Sequence, residues 1–246
     1  MMNINYKQSN INFKKGSVIF GGAGPGSLEL ISLKLKYILK KADIVIFDAL
    51  VNKKILDFCR KKVKLIYAGK LKEKKSCTQA EINQWLVKFA RAKKRVLRLK
   101  GGDISFFSRG SQEINFLKEN GINFKIFSGI TSSQTSIKST VQSFFNYSGI
   151  CNLITGHRRI NTNSDNKIDY SFLTKCNGRI IIYMGISQIR NISKNLMNHG
   201  MKKNEMVTLI TDSSLNSQRI FQTNLLDCPK FISENSINSP AIIIIK

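Results

Sequence analysis

Short apolar runs recur along this chain, and nearly all stop at glycine or at an acid. Ser17–Phe20 runs into Gly21-Gly22-Ala23-Gly24-Pro25-Gly26-Ser27, and Ile44–Phe47 stops at Asp48. Val63–Tyr67 ends near Gly69-Lys70, Val96–Leu99 at Lys100-Gly101-Gly102-Asp103, and Phe124–Phe127 at Ser128-Gly129. Between these runs the apolar spacing is helical. Leu28–Lys41 has apolar residues at 28, 31, 35, 38 and 39, with Ser27 placed to cap it, and Val51–Arg60 reads as a short helix. Thr78 and Glu81 form a capping box ahead of Ile82, Leu86, Phe89 and Ala90, and a further helix spans Gln112–Asn120. Strand alternating with helix predicts an α/β fold with a largely parallel sheet and right-handed crossovers.

The second half repeats the pattern. Ile150–Ile154 ends at Thr155-Gly156-His157, Arg179–Tyr183 at Met184-Gly185, and Val207–Ile210 at Thr211-Asp212-Ser213-Ser214. A helix is predicted over Ser187–His199, and 240–245 closes the sheet. A polar leader over 1–16, an α/β domain over 17–128, a linker over 129–135 and a second α/β domain over 136–246 are therefore expected.

Strand ends are where open α/β sheets place their ligands, and these carry suitable chemistry. Gly101-Gly102 lets a ligand approach the main chain, and Asp103 adds a carboxylate that accepts hydrogen bonds from hydroxyls or an amine. The alternative is a tight turn with a solvated acid. Gly22-x-Gly24 suggests dinucleotide binding, with Asp48 placed like the ribose-binding acid of that motif. However, Ser27 stands at the third glycine position, and Pro25 has no N–H to give a pyrophosphate. No Gly-Lys-Ser/Thr follows the glycines, so a nucleotide triphosphate loop is excluded too.

The 40 Lys and Arg against 15 Asp and Glu give a net charge of +25, a field that attracts polyanions. The basic residues are spread along the chain and are not interleaved with aromatics, so a nucleic-acid partner is not expected. Five cysteines without a Cys-x-x-Cys pair and two distant histidines give no zinc or iron–sulfur spacing and argue against a disulfide framework. Met1–Asn10 lacks the apolar core of a signal peptide, and no apolar run nears the ~20 residues that span a bilayer. The expectation is a cytoplasmic protein with no membrane partner and no metal.

Taken together the strand ends resemble the tetrapyrrole methylase family. The matching pieces, in order, are Gly22–Gly26, Ala42–Val51, Gly69-Lys70, Arg98–Asp103, Phe107–Gly110 and Gly129–Ser132. Thr155–His157, Tyr183–Gly185, Gln218-Arg219 and Ser239–Ala241 follow. The resemblance implies two α/β domains with S-adenosylmethionine bound in the cleft between them, in a homodimer. It places cofactor contacts on Pro25, Gly101, Gly102, Asp103, Phe106, Thr131, Ser132, Met184 and Ser213. It makes Asp48 the proton acceptor and Lys70 the donor. The implied reaction methylates uroporphyrinogen III at C2 and C7 to give precorrin-2, for cobalamin or sirohaem synthesis. The alternatives are a later corrin precursor or ribosomal RNA as acceptor.

A substrate with eight carboxylates calls for a basic site, and Arg109, Lys100 and Lys70 stand near these motifs, with Arg109 the expected substrate contact. Arg109 could instead pair with Glu113 one helical turn on, and Met184 and Phe106 could be core residues. The chain departs from the family pattern at Ser27, at Ile104-Ser105-Phe106, at Ser108 and over Phe144–Ser148.

Overall fold

Strand β1, Val18–Gly22, is buried along its whole length, as a central strand of a parallel sheet covered on both faces must be. The computed structural model describes residues 11–69, 77–138, 150–156, 168–176 and 178–245. The backbone divides into two units between Thr131 and Ser132. In the first, β1 is followed by helix α1 (Leu33–Lys41), β2 (Ile44–Phe47), β3 (Lys64–Tyr67) and α2 (Gln79–Arg91). Then come β4 (Val96–Lys100), α3 (Gly110–Glu119) and β5 (Phe124–Phe127). The strands lie in the order β3-β2-β4-β1-β5, every neighbouring pair parallel.

Side-chain alternation builds the two layers on this sheet. Ile19, Val45, Leu97 and Leu99 face Leu35, Ile38 and Leu39 of α1. The intervening Val18, Phe20, Ile44, Ile46 and Val96 face Ile82, Leu86 and Ala90 of α2 and Leu117 of α3. By the same alternation Arg98 and Lys100 point to the α2/α3 layer. The Thr78–Glu81 capping box forms as the sequence predicts. The helix predicted over Leu28–Lys41 does not form in one piece. Ser27 caps only a 3-10 turn at Leu28–Leu30, and α1 starts afresh where the Ser32 hydroxyl accepts from Leu35 N. Residues Val51–Arg60 likewise make a 3-10 segment, Lys53–Phe58, rather than an α-helix.

At the opposite edge of the sheet from its carboxyl ends, Asp43 ties β2 to β4. Its carboxylate accepts from Arg95 N at 2.7 Å and Arg95 Nε at 3.1 Å, and pairs with Arg60. Burial pushes this carboxyl up, but the hydrogen bonds and charge of Arg95, with Arg60, outweigh it and lower the pKa from 3.8 to about 2. A carboxyl depressed on folding stabilises at a pH above its unfolded value, and that contribution is lost as pH falls through its folded value. Asp43→Ala should therefore cost about 1–2 kcal/mol at neutral pH, with the difference from wild type vanishing towards pH 2. Urea unfolding at a series of pH values measures both.

The second unit contains α4 (Ser132–Lys138), β6 (Cys151–Thr155), α5 (Tyr170–Lys175) and β7 (Arg179–Tyr183). After these come α6 (Ile189–Asn198), β8 (Met206–Thr211), β9 (Arg219–Asn224), α7 (Cys228–Glu234) and β10 (Ala241–Ile245). Here the parallel expectation fails. The order is β6-β7-β10-β8-β9, and only β6 and β7 pair parallel. The cause is the short connection from β8 to β9, too short for a crossover helix, so the chain turns back as a hairpin. One sheet face packs Ile180, Ile182, Val207 and Leu209 against α6 and α7, and the other is built on Ile181, Ile210, Ile242 and Ile244. No disulfide is formed among the described residues, and burial pushes the Cys228 thiol up to about 12, as befits a packing residue. No helix among the described residues is long and apolar enough to cross a membrane.

Candidate active site

Because all strands of the first sheet run one way, their carboxyl ends share one edge. Gly22 ends β1, Gly102 follows β4 and Gly129 follows β5, and the three backbones pack directly on one another. A Cβ on Gly22 would lie 2.5 Å from Gly129 N and 2.7 Å from Gly102 O. Gly24 and Gly102 exchange main-chain hydrogen bonds, Gly24 N to Gly102 O at 3.2 Å and Gly102 N to Gly24 O at 2.7 Å. Both have positive φ, +77° and +67°. Nothing lies within 4 Å of where a Gly102 Cβ would stand, so this turn presents bare backbone to open space.

Asp103 is buried, not solvated. Its Oδ1 accepts from Ser105 N and its Oδ2 from Gly129 N, both at 2.7 Å, which fastens the β4 and β5 ends together. Each oxygen keeps a second lone pair, so the carboxylate can clamp the turn and still accept from a ligand. Pro25 is half-buried beside this turn, and the Asn52 side chain donates to Gly26 O at 2.7 Å. Asn52, absent from the sequence-based candidates, thereby joins the glycine loop to the segment that follows Asp48. Thr131 is buried, while Phe106 is 38% exposed and so is not a core residue.

Asp48 follows β2, and the register pairing Phe47 with Leu99 brings it beside Lys100. Its Oδ1 accepts from Arg98 Nη2 at 2.6 Å, and its Oδ2 lies 3.3 Å from Lys100 Nζ. Behind these two cations stands Glu113 of α3. Its Oε2 accepts from Arg98 Nε at 2.8 Å, and its Oε1 from Lys100 Nζ at 2.9 Å, Arg98 Nη2 at 3.1 Å and Gln79 Nε2 at 3.2 Å. Glu113 and Arg98 are 0% and 1% exposed, and the Asp48 side chain is 28% exposed. Burial pushes the Glu113 carboxyl up, but Arg98 and Lys100 hold it below the usual range.

This arrangement corrects two sequence readings. Arg109 does not pair with Glu113, whose oxygens are occupied by Arg98, Lys100 and Gln79; Arg109 is exposed and makes no ion pair among the described residues. Lys100 is buried and bound to Glu113 and Asp48, so it is not available to a substrate carboxylate. Lys70, His157 and Phe144–Ser148 lie outside the described residues.

In the second unit β6, β7 and β8 also end on one edge. Gly156 N donates to Tyr183 O at 2.7 Å, and a Gly156 Cβ would meet Met184 O at 2.8 Å. Met184 has φ +53° and is 44% exposed, so it too is not a core residue, and its left-handed backbone is unusual for a side chain of this size. Ser213 lies between two residues of positive φ, Asp212 and Ser214. Its Oγ is 2.7 Å from Thr135 Oγ1 and 3.1 Å from Ser136 Oγ, which anchors α4 to the end of β8. Ser132 is half-buried at the start of α4. Thr211 Oγ1 at the end of β8 is buried and has no hydrogen-bond partner among the described residues. Among the described residues no three His, Cys, Asp or Glu side chains cluster as a metal site.

The family model for Tetrapyrrole (Corrin/Porphyrin) Methylases matches residues 17–228. Two siroheme synthases, from Nitrosomonas eutropha and Methylobacillus flagellatus, are 35% and 32% identical over 232 residues, 94% of this chain. Those residues are 48% and 49% of the relatives, so the chain spans about half the length of the curated proteins it matches. Among solved structures, uroporphyrin-III C-methyl transferase from Thermus thermophilus complexed with S-adenyl homocysteine has a TM-score of 0.77 at 25% identity. That match covers 93% of this chain and 91% of the other. A cobalt precorrin-4 methyltransferase matches at TM-score 0.81 and 19% identity over 94% of each chain, a likeness of fold alone.

Proposed function

Because this chain belongs to the tetrapyrrole (corrin/porphyrin) methylases, we propose that it uses S-adenosylmethionine to methylate uroporphyrinogen III at C2 and C7, giving precorrin-2. The observation that carries this reading is the convergence of the Gly24, Gly102 and Gly129 turns, Asp103 and Asp48 on one sheet edge. The names of the relatives point the product towards sirohaem. Cytoplasmic location and a homodimer are part of the same proposal.

The residues at the edge of the first sheet fit such a cofactor: open space at Gly102 offers backbone contact, Asp103 keeps acceptor capacity, and the turn after β1 has no phosphate cradle. In the second unit, taken by itself, the buried Thr211 hydroxyl, with no hydrogen-bond partner among the described residues, and the exposed Met184 stand at one strand-end edge. The proposed contacts are Pro25, Gly101, Gly102, Asp103, Phe106 and Thr131 in the first unit, and Ser132, Met184 and Ser213 in the second. When bound, S-adenosylmethionine supplies an electrophilic methyl group on a sulfonium. The protein's work is to align a pyrrole carbon with that methyl, which can contribute up to about 7–11 kcal/mol, and to handle one proton. Asp48, held by Arg98 and Lys100, is the proposed acceptor of that proton, and Lys70 the proposed donor. Exposed Arg109, with no ion pair to give up among the described residues, is the proposed contact for a substrate carboxylate.

Incubation of pure protein with methyl-labelled S-adenosylmethionine and either uroporphyrinogen III or ribosomal RNA tests the reading. Label in a dimethylated tetrapyrrole is expected. Label in RNA alone, which the +25 charge would favour, overturns the substrate.

A further inference from the structure

Two cations inside a buried strand need a buried anion, and Glu113 is that anion. It does not touch the open edge of the sheet. It sits on α3 behind β4, completely buried, with Arg98 bound in bidentate fashion and Lys100 on the same oxygen. Both cations then reach forward to the two oxygens of Asp48. Arg98 is fixed further by weak contacts to Ile46 O and Leu99 O at 3.4 Å. The set contains two positive and two negative groups, and Asp48 is the one that meets solvent.

We propose that Glu113 is a positioning residue for methyl transfer, setting the orientation of the Asp48 carboxylate through Arg98 and Lys100. This rests on the reading of Asp48 as proton acceptor. If Glu113 loses its charge, Lys100 and Arg98 are left with a single carboxylate, and both collapse onto Asp48 in a new geometry. A displacement of about 1 Å at a reacting group can cost on the order of 10²-fold in rate.

The test is a double-mutant cycle on the whole chain, with kcat and KM for uroporphyrinogen III, affinity for S-adenosylhomocysteine and thermal unfolding as readouts. Glu113→Gln should lower kcat about 10- to 100-fold, with KM and S-adenosylhomocysteine affinity changed less than about 2-fold. In the Asp48→Asn background, where label counted over hours reads residual turnover, it should cost less than about 3-fold more. Glu113→Asp keeps the charge behind both cations but draws it back by one methylene, and should lower kcat about 3- to 10-fold with Asp48 present and less than about 2-fold in the Asp48→Asn background. That charge-retaining variant also decides the matter if Glu113→Gln alone does not fold. Equal losses in both backgrounds for either variant, an unchanged kcat, or a matching loss of S-adenosylhomocysteine affinity would overturn the positioning role alone. A fully active Asp48→Asn, or no tetrapyrrole methylation by the unaltered chain, overturns the underlying reading, and this proposal with it, before any Glu113 variant is compared.

Discussion

Asp48→Asn is expected to slow tetrapyrrole methylation by about 10²–10⁴-fold, the usual worth of a positioned proton acceptor. The substitution keeps the shape of the side chain, and one amide oxygen can still accept from Arg98 Nη2, which now stands 2.6 Å from Oδ1. Folding should therefore change little, because the carboxylate is partly solvated and its cations retain Glu113. Affinity for S-adenosylhomocysteine should also be preserved, since the glycine turns do not depend on this carboxylate. Initial rates under saturating substrate, with calorimetric binding in parallel, separate the two effects. Turnover within about 3-fold of wild type would remove Asp48 from the chemistry.

Gly129→Ala should damage the other half of the same edge. Its new methyl would stand 2.4 Å from Gly102 O and 2.7 Å from both C and O of Gly22. All three are backbone atoms of neighbouring strand ends, so no rotamer change relieves the clash. The β4 or β5 end must move, breaking the Gly129 N bond to Asp103 and costing about 3 kcal/mol. Loss of S-adenosylhomocysteine binding should accompany it. Gly121→Ala is the control: φ is +67° but nothing lies within 4 Å, so only backbone strain of about 1–2 kcal/mol applies. Equal stability of the two variants in urea would show that the close approach of the three strands is not required.

Much of the first unit is legible in the sequence because its strands are short, apolar and punctuated by glycine, and because Thr78-x-x-Glu81 is a complete helix-start signal. The amino-acid order alone locates the strand ends that carry Asp48, Gly102 and Gly129. What escapes has weaker local marks. Ser32 competes with an apolar spacing that runs straight through it, so the break before α1 is hidden. Strand β9 lies at a sheet edge, largely exposed, and has no apolar run to announce it. The Glu113 cluster is hidden for another reason: Arg98 and Lys100 read as parts of a motif, not as charges within a buried strand. Alternation alone puts both on one face, and the cost of burying them bare points to α3 for an acid.

The place of β10 has a consequence for synthesis. Of the strands described in the second unit it is furthest along the chain, yet it is inserted between β7 and β8, hydrogen-bonded to both. Until residue 245 has left the ribosome, β6-β7 and β8-β9 can exist only as separate ribbons, each with an open flank. The first unit has no such delay, since all its described strands precede residue 128. A growing chain would thus present one finished lobe and one waiting, sticky half, the stage at which a holdase chaperone would have most to protect.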